Sequence, residues 1–183
     1  MSKDEDLIER VAKESNLSEH DIRLMLKKCQ EDYPSGFISK DDLASIFSAT
    51  IHQKHSEAFS DLLYNVFDKN NDGHVDFVEL LCGLALFSEG ASYDELLNLS
   101  FEICDVDKNG IVDLKELIKF MTSVYSLSIR KRKHAKQLAQ EDARRLYAEM
   151  SMNHRVAVTL EEWKTVISKD PFGKNVIKFL SGE

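Results

Sequence analysis

The chain has few residues that interrupt a helix: two prolines and seven glycines in 183 residues, so helix should dominate. It also lacks any run of about 18 apolar residues, and so offers no membrane span. The start, Met1-Ser2-Lys3-Asp4-Glu5, has no apolar signal-peptide core and no glycine after the methionine to carry a myristoyl group. Cysteines number three, Cys29, Cys82 and Cys104, far apart and without a C-x-x-C pair. They read as free thiols in a reducing compartment and exclude a disulfide framework or a cysteine zinc site. Positive charge is scarce, with 24 Lys and Arg against 32 Asp and Glu and a net charge of −8. That balance argues against general affinity for nucleic acid or an anionic membrane and suits cation binding. The expectation is a cytoplasmic, all-α protein.

What the chain has instead is a repeated acidic loop. Residues 68–79 read Asp68-Lys69-Asn70-Asn71-Asp72-Gly73-His74-Val75-Asp76-Phe77-Val78-Glu79. Oxygen-bearing side chains stand at positions 1, 3, 5, 9 and 12, glycine at 6 and a β-branched residue at 8, the spacing of an EF-hand calcium loop. Calcium needs six to eight hard oxygens, and a chain delivers them only by wrapping round the ion. Asp68, Asn70 and Asp72 would point inward, His74 would offer its backbone carbonyl, Asp76 would act through water, and Glu79 would close the site with both carboxylate oxygens. Residues 105–116 repeat the pattern with Asp105, Asp107, Asn109, Ile111 (backbone oxygen), Asp113 and Glu116.

A third, spoiled loop lies at 31–42. The loops start at 31, 68 and 105, a constant spacing of 37 residues, and that register makes chance a poor explanation. In loop 31–42 Tyr33 replaces the ligand at position 3, Pro34 stiffens the turn, and Asp42 is one methylene shorter than Glu at position 12. No tight calcium binding is expected there. A fourth loop in outline, 151–162, has Ser151 at position 1, Arg155 at 5 and Val156 in place of glycine, so its metal site should be lost while Val158 and Glu162 remain.

Apolar stripes at helical spacing flank each loop: Ile22, Met25, Leu26 and Cys29; Phe59, Leu62, Leu63, Val66 and Phe67; Phe77, Leu80, Leu81 and Leu84; Leu114, Leu117, Ile118 and Met121. Ser18 with Asp21, and Ser92 with Glu95, resemble capping boxes. Ala135, Leu138, Ala139, Asp142, Ala143, Leu146 and Met150 fall along one face of a further helix. Past Asp170-Pro171, Phe172, Val176, Phe179 and Leu180 mark a short amphipathic helix over 172–180, a candidate occupant of the chain's own groove. The basic run Arg130 to Lys136 reads as a solvated helical face or as a dock for an acidic partner. His52 and His55 read as linker residues.

The organisation expected is four helix-loop-helix units paired in two lobes, with short β pairings of Ile38 with Val75 and Val112 with Val158. The N-lobe would be residues 1–90 and the C-lobe 91–183. Tyr33-Pro34-Ser35-Gly36, the two intact middle loops, the longer gap before the fourth and the Ser168-Lys169-Asp170-Pro171 close resemble the neuronal calcium sensor family over about residues 18 to 180. Calcineurin B-like subunits share the layout. That resemblance implies a calcium sensor that regulates another protein and is not itself an enzyme.

The function expected is a sensor taking two calcium ions, with magnesium as a possible competitor. It would regulate a target protein that presents an amphipathic helix to a groove exposed on loading. Candidate groove residues are Phe47, Phe59, Phe67, Leu81 and Phe87, and Phe101, Met121, Tyr125 and Trp163; each could equally fill the core. The rivals are an obligate regulatory subunit of an enzyme, an axonemal dynein regulator, and a calcium buffer that binds without opening. No nucleic acid is expected as a partner, and membrane binding is not expected without a myristoylation signal.

Overall fold

A computed structural model describes residues 3–15, 17–51, 57–87, 91–128, 132–150 and 157–181. The linker histidines, the first half of loop 151–162 and the start of the basic run lie outside the described residues. Ten helices among the described residues make the fold all-α: α1 (Lys3–Glu14), α2 (Glu19–Asp32), α3 (Lys40–Ile51), α4 (Glu57–Phe67), α5 (Phe77–Ala85), α6 (Tyr93–Cys104), α7 (Leu114–Ser128), α8 (Arg132–Met150), α9 (Leu160–Ile167) and α10 (Pro171–Ser181). None is long and apolar enough to cross a membrane.

Local chemistry starts and stops these helices. Ser18 caps α2 by accepting from the Asp21 amide at 3.2 Å, and Ser92 with Glu95 caps α6 as a reciprocal box. Both carry the side-chain oxygen that an amino-terminal turn leaves wanting. Helix α2 ends at Asp32, and Tyr33 caps it outside the helical region, directly before a proline that disfavours helical backbone in front of it. The expected stripes are its buried face: Ile22, Leu26 and Cys29.

The loops meet in pairs through short strands. β1 (Phe37–Ile38) runs antiparallel to β2 (Val75–Asp76), with Ile38 opposite Val75. Val112 and Val158 exchange amide hydrogen bonds at 2.8 and 2.9 Å in an equivalent bridge. Position 8 of each loop is therefore both the pairing point and, at 0–1% exposure for all four residues, a core residue.

The two pairs share one continuous core, from Ile8 on α1 to Leu180 on α10. In the first pair the Phe47 ring meets Phe67 and Phe87 edge-on at 5.7 and 4.7 Å. Gly83 on α5 permits this approach, since a Cβ there would sit 2.4 Å from the Phe67 ring. In the second pair Trp163 lies against Phe101 and Phe120, and its indole N–H donates to the buried Ser100 hydroxyl at 3.0 Å. Each such fully buried side chain contributes roughly 1.5–3 kcal/mol relative to exposure. The groove candidates Phe47, Phe59, Phe67, Leu81, Phe101, Met121 and Trp163 are all buried, so in this form they fill the core.

Helix α8 lies along α7 through the expected small-residue stripe, Ala135, Ala139, Ala143, Leu146 and Met150, all buried. Helix α10 packs on α6 and α9, with Phe179 edge-on to Phe59 of α4 at 5.1 Å and Phe172 against Phe120. Asp170 starts it by accepting from the Phe172 amide at 2.8 Å, and Arg145 of α8 pairs with the other carboxylate oxygen at 2.9 Å. The three cysteines are free and buried.

Candidate functional site

Loops 68–79 and 105–116 are built on the same frame of hydrogen bonds. Asp68 Oδ1 and Oδ2 accept from the amides of Asp72 and Gly73 at 3.2 and 3.0 Å; Asp105 does the same for Asn109 and Gly110 at 3.1 and 2.8 Å. Glu79 Oε1 accepts from Lys69 and Asn70 at 3.1 and 3.2 Å, and Glu116 Oε1 from Val106 and Asp107 at 2.9 and 3.4 Å. The glutamate at position 12 thus spans the loop to its opening residues. Asn70 Oδ1 accepts from the Asp72 amide at 2.8 Å and Asp107 Oδ1 from the Asn109 amide at 3.2 Å. Asp72 and Asn109 accept from the position 7 amides of His74 and Ile111, each at 2.9 Å.

The backbone enforces this wrapping. Gly73 and Gly110 take φ of 85° and 83°, the left-handed region that glycine occupies without a Cβ clash. Position 4 is also left-handed, at φ 57° for Asn71 and 56° for Lys108; asparagine tolerates that conformation better than lysine.

Positions 9 and 12 do a second job that the sequence reading missed. Asp76 accepts from the Glu79 amide at 2.9 Å while Glu79 Oε2 accepts from the Asp76 amide at 3.1 Å, a capping box that starts α5. Asp113 and Glu116 reproduce it at 2.8 and 2.9 Å, as do Thr159 and Glu162 at the head of α9. The signal was available in the sequence as a D-x-x-E and a T-x-x-E before an apolar run.

Three buried carboxylates, Asp68, Glu79 and Asp105, are each 7% exposed. Burying like charges together is costly unless amides and a cation compensate them. In loop 105–116 one oxygen each from Asp105, Asp107 and Glu116 converges within 4.8 Å. The donors are hard oxygens, without thiolate or imidazole nitrogen, a set that suits calcium or magnesium over zinc or copper. The residues present therefore fit a hard divalent cation.

Loop 31–42 keeps the turn, with Gly36 at φ 81°, but the bonds of its position 5 and position 12 side chains stay local. Asp42 folds back on Ser39, accepting from its amide at 3.1 Å and from its hydroxyl. Ser35 Oγ at position 5 accepts from the Phe37 amide at 3.3 Å, as Asp72 and Asn109 do from their position 7 amides, but it also donates to the Phe37 carbonyl at 3.1 Å, the position 7 oxygen. Tyr64 on α4, also missed because it lies off that helix's apolar stripe, donates its hydroxyl to Ile38 O at 3.0 Å and lies 3.4 Å from Gly73 O. Burial raises its phenol above the ordinary value.

Comparison with known proteins agrees with this geometry. The EF hand family pattern matches residues 97–121. The chain is 32% identical over 120 residues to calcium-binding protein NCSA of Dictyostelium discoideum, covering 66% of this chain and 63% of that protein. It is 34% identical over 102 residues to S-modulin of Aquarana catesbeiana, covering 56% and 48%. It is 26% identical over 139 residues to the guanylyl cyclase inhibitory protein of Lithobates pipiens, covering 75% and 67%. The matches thus span about half to two thirds of these relatives' lengths. With its helix-loop-helix repeats, its paired position 8 residues and these relatives, the chain carries an EF hand over residues 97–121 and resembles the neuronal calcium sensor group.

Proposed function

We propose that the protein is a calcium sensor that takes two ions and regulates a target protein. One ion would be held by Asp68, Asn70, Asp72, the His74 carbonyl, Asp76 and Glu79. The other would be held by Asp105, Asp107, Asn109, the Ile111 carbonyl, Asp113 and Glu116. The observation that carries this reading is the convergence of Asp105, Asp107 and Glu116 oxygens within 4.8 Å, in a loop whose bonding loop 68–79 repeats. Magnesium is the expected competitor, since it accepts the same oxygens in a tighter octahedron. Each lobe, 1–90 and 91–183, would then pair one live loop with one spoiled one.

The chain's own residues would supply the response. The position 12 glutamate is at once the closing ligand and the third residue of the exiting helix, so drawing its carboxylate inward turns α5 or α7. A groove of about 460 Å³ in the first lobe, lined by Met25, Ile46, Leu80, Leu81 and Leu84 among others, lies where that turn of α5 would widen it for an amphipathic helix. One relative is named as an inhibitory protein of an enzyme, which supports an enzyme as the class of target and a non-catalytic role for this chain.

The test is a calorimetric calcium titration of the wild type, Glu79→Gln and Glu116→Gln, each followed with an apolar dye. Two sites in the wild type, one in each variant, and dye uptake only with calcium are expected. Two tight sites surviving in either variant would overturn the ligand assignment. Calcium uptake without dye binding would make the protein a buffer.

A further inference from the structure

The pairing of the loops leaves the two intact ones in different pairs: loop 68–79 bridges to the spoiled loop 31–42, and loop 105–116 to loop 151–162. The position 8 bridge therefore cannot carry a signal from one intact loop directly to the other. Lys108, at position 4 of loop 105–116, makes that connection. Its ammonium donates to the backbone carbonyl of Asp68 and, at 2.8 Å, to Asn71 Oδ1. Those acceptors are the first residue of loop 68–79 and its own position 4, so the bond joins equivalent points of the two rims.

Lys108 is held for this task by its neighbours. Its backbone is left-handed, and it lies between Asp107 and Asn109, whose side-chain oxygens bond amides of their own loop while the Lys108 ammonium reaches the other loop. Asp68 in turn holds the amides of Asp72 and Gly73 through its carboxylate, so fixing its carbonyl fixes the turn that shapes the site.

We propose that Lys108 couples the two loops, so that an ion in loop 105–116 pre-orders loop 68–79 and tightens its grip on the second ion. This rests on the calcium reading above. Filling loop 105–116 orders Asp107 and Asn109, hence Lys108 between them, and so removes freedom that loop 68–79 would otherwise lose on binding. The positive charge opposes a cation nearby, but the side chain is exposed and the high effective dielectric at the surface weakens that repulsion. Ordering is the larger effect, and by linkage it is reciprocal: an ion in loop 68–79 tightens loop 105–116 by the same factor.

The test is a calcium titration followed by NMR at the Gly73 amide, which bonds to Asp68 and reports its own loop, and at the Gly110 amide for the other. Silencing loop 105–116 with Glu116→Gln should raise the calcium midpoint at Gly73 by about fivefold, the low end for coupled sites. In a Lys108→Met background the same silencing should leave the Gly73 midpoint unchanged, and in Lys108→Arg, which keeps charge and donors, the fivefold effect should persist. A fivefold effect that survives Lys108→Met, or a Gly73 midpoint that ignores Glu116→Gln in the otherwise native chain, overturns the coupling while leaving the calcium sites standing. A Gly73 amide that does not respond to calcium at all overturns the calcium reading itself, and the coupling with it.

Discussion

Loops 31–42 and 68–79 lie side by side and share almost everything except the set of side-chain oxygens proposed as ligands. Both turn on a glycine at position 6, with φ of 81° and 85°; both give position 8 to the strand between them; both start their exiting helix with position 9 and position 12 capping each other. The difference is reach. Glu79 caps α5 with one oxygen and spans to Lys69 and Asn70 with the other, whereas both hydrogen bonds to the Asp42 carboxylate come from Ser39. A hand is thus two superimposed devices. Glycine, strand and cap make the fold, and the oxygens at 1, 3, 5 and 12 are there for the proposed site. A loop can lose the second and keep the first.

Glu79→Asp should break the comparison most. The shorter side chain keeps the cap, as Asp42 does, but cannot span the loop. Calcium affinity at Gly73 should fall about tenfold or more, ~1.4 kcal/mol or beyond, while apo-state thermal stability stays within about 0.5 kcal/mol of the wild type. Unfolding of the apo protein by the variant would mean that the far-side bonds to Lys69 and Asn70 hold the fold as well.

Tyr64→Phe sharpens what the two loops share. The hydroxyl donates to Ile38 of one loop and approaches Gly73 of the other, so its removal should cost about 1 kcal/mol in chemical denaturation. Its pH dependence has a definite sign. Burial raises the folded-state phenol above its ordinary value of 10, so the stabilisation is complete below that pH and is lost as pH rises through the folded value. The gap between wild type and Tyr64→Phe should therefore close in alkali; a gap that widens above pH 10 would contradict the assignment.

Sequence periodicity exposed the devices that repeat. The 37-residue spacing located the three loops, the side-chain oxygens named the candidate ligands, and position 8 named both bridging pairs before any coordinates. It could not show what depends on packing between units. Lys108 reads as an ordinary exposed loop residue until the second pair is set against the first. Phe47, Phe67 and Trp163 satisfy the same stripe whether they line a groove or fill a core, and only the close approach at Gly83 and the Trp163 to Ser100 bond decide for the core. Tyr64 escaped notice because its value lies in a hydroxyl, which hydrophobic patterning ignores.

The smallest effect tests whether reach alone separates the two loops. Asp42→Glu lengthens position 12 of loop 31–42 by the missing methylene while keeping its cap with Ser39. If reach were sufficient, a third calcium site would appear. It should not, because Tyr33 offers neither the amide nor the carboxylate oxygen that Asn70 and Asp107 bring to position 3, and the Ser35 hydroxyl is spent on the Phe37 carbonyl at 3.1 Å, which an ion would need free. Recovering that carbonyl would require breaking a bond worth about 1 kcal/mol for a ligand set in which Ser35 and Ser39 still stand where loop 68–79 has the anions Asp72 and Asp76. A calorimetric titration of Asp42→Glu should return the wild-type number of sites with unchanged midpoints. A third site would show that a single methylene, and not the whole donor set, had silenced the hand.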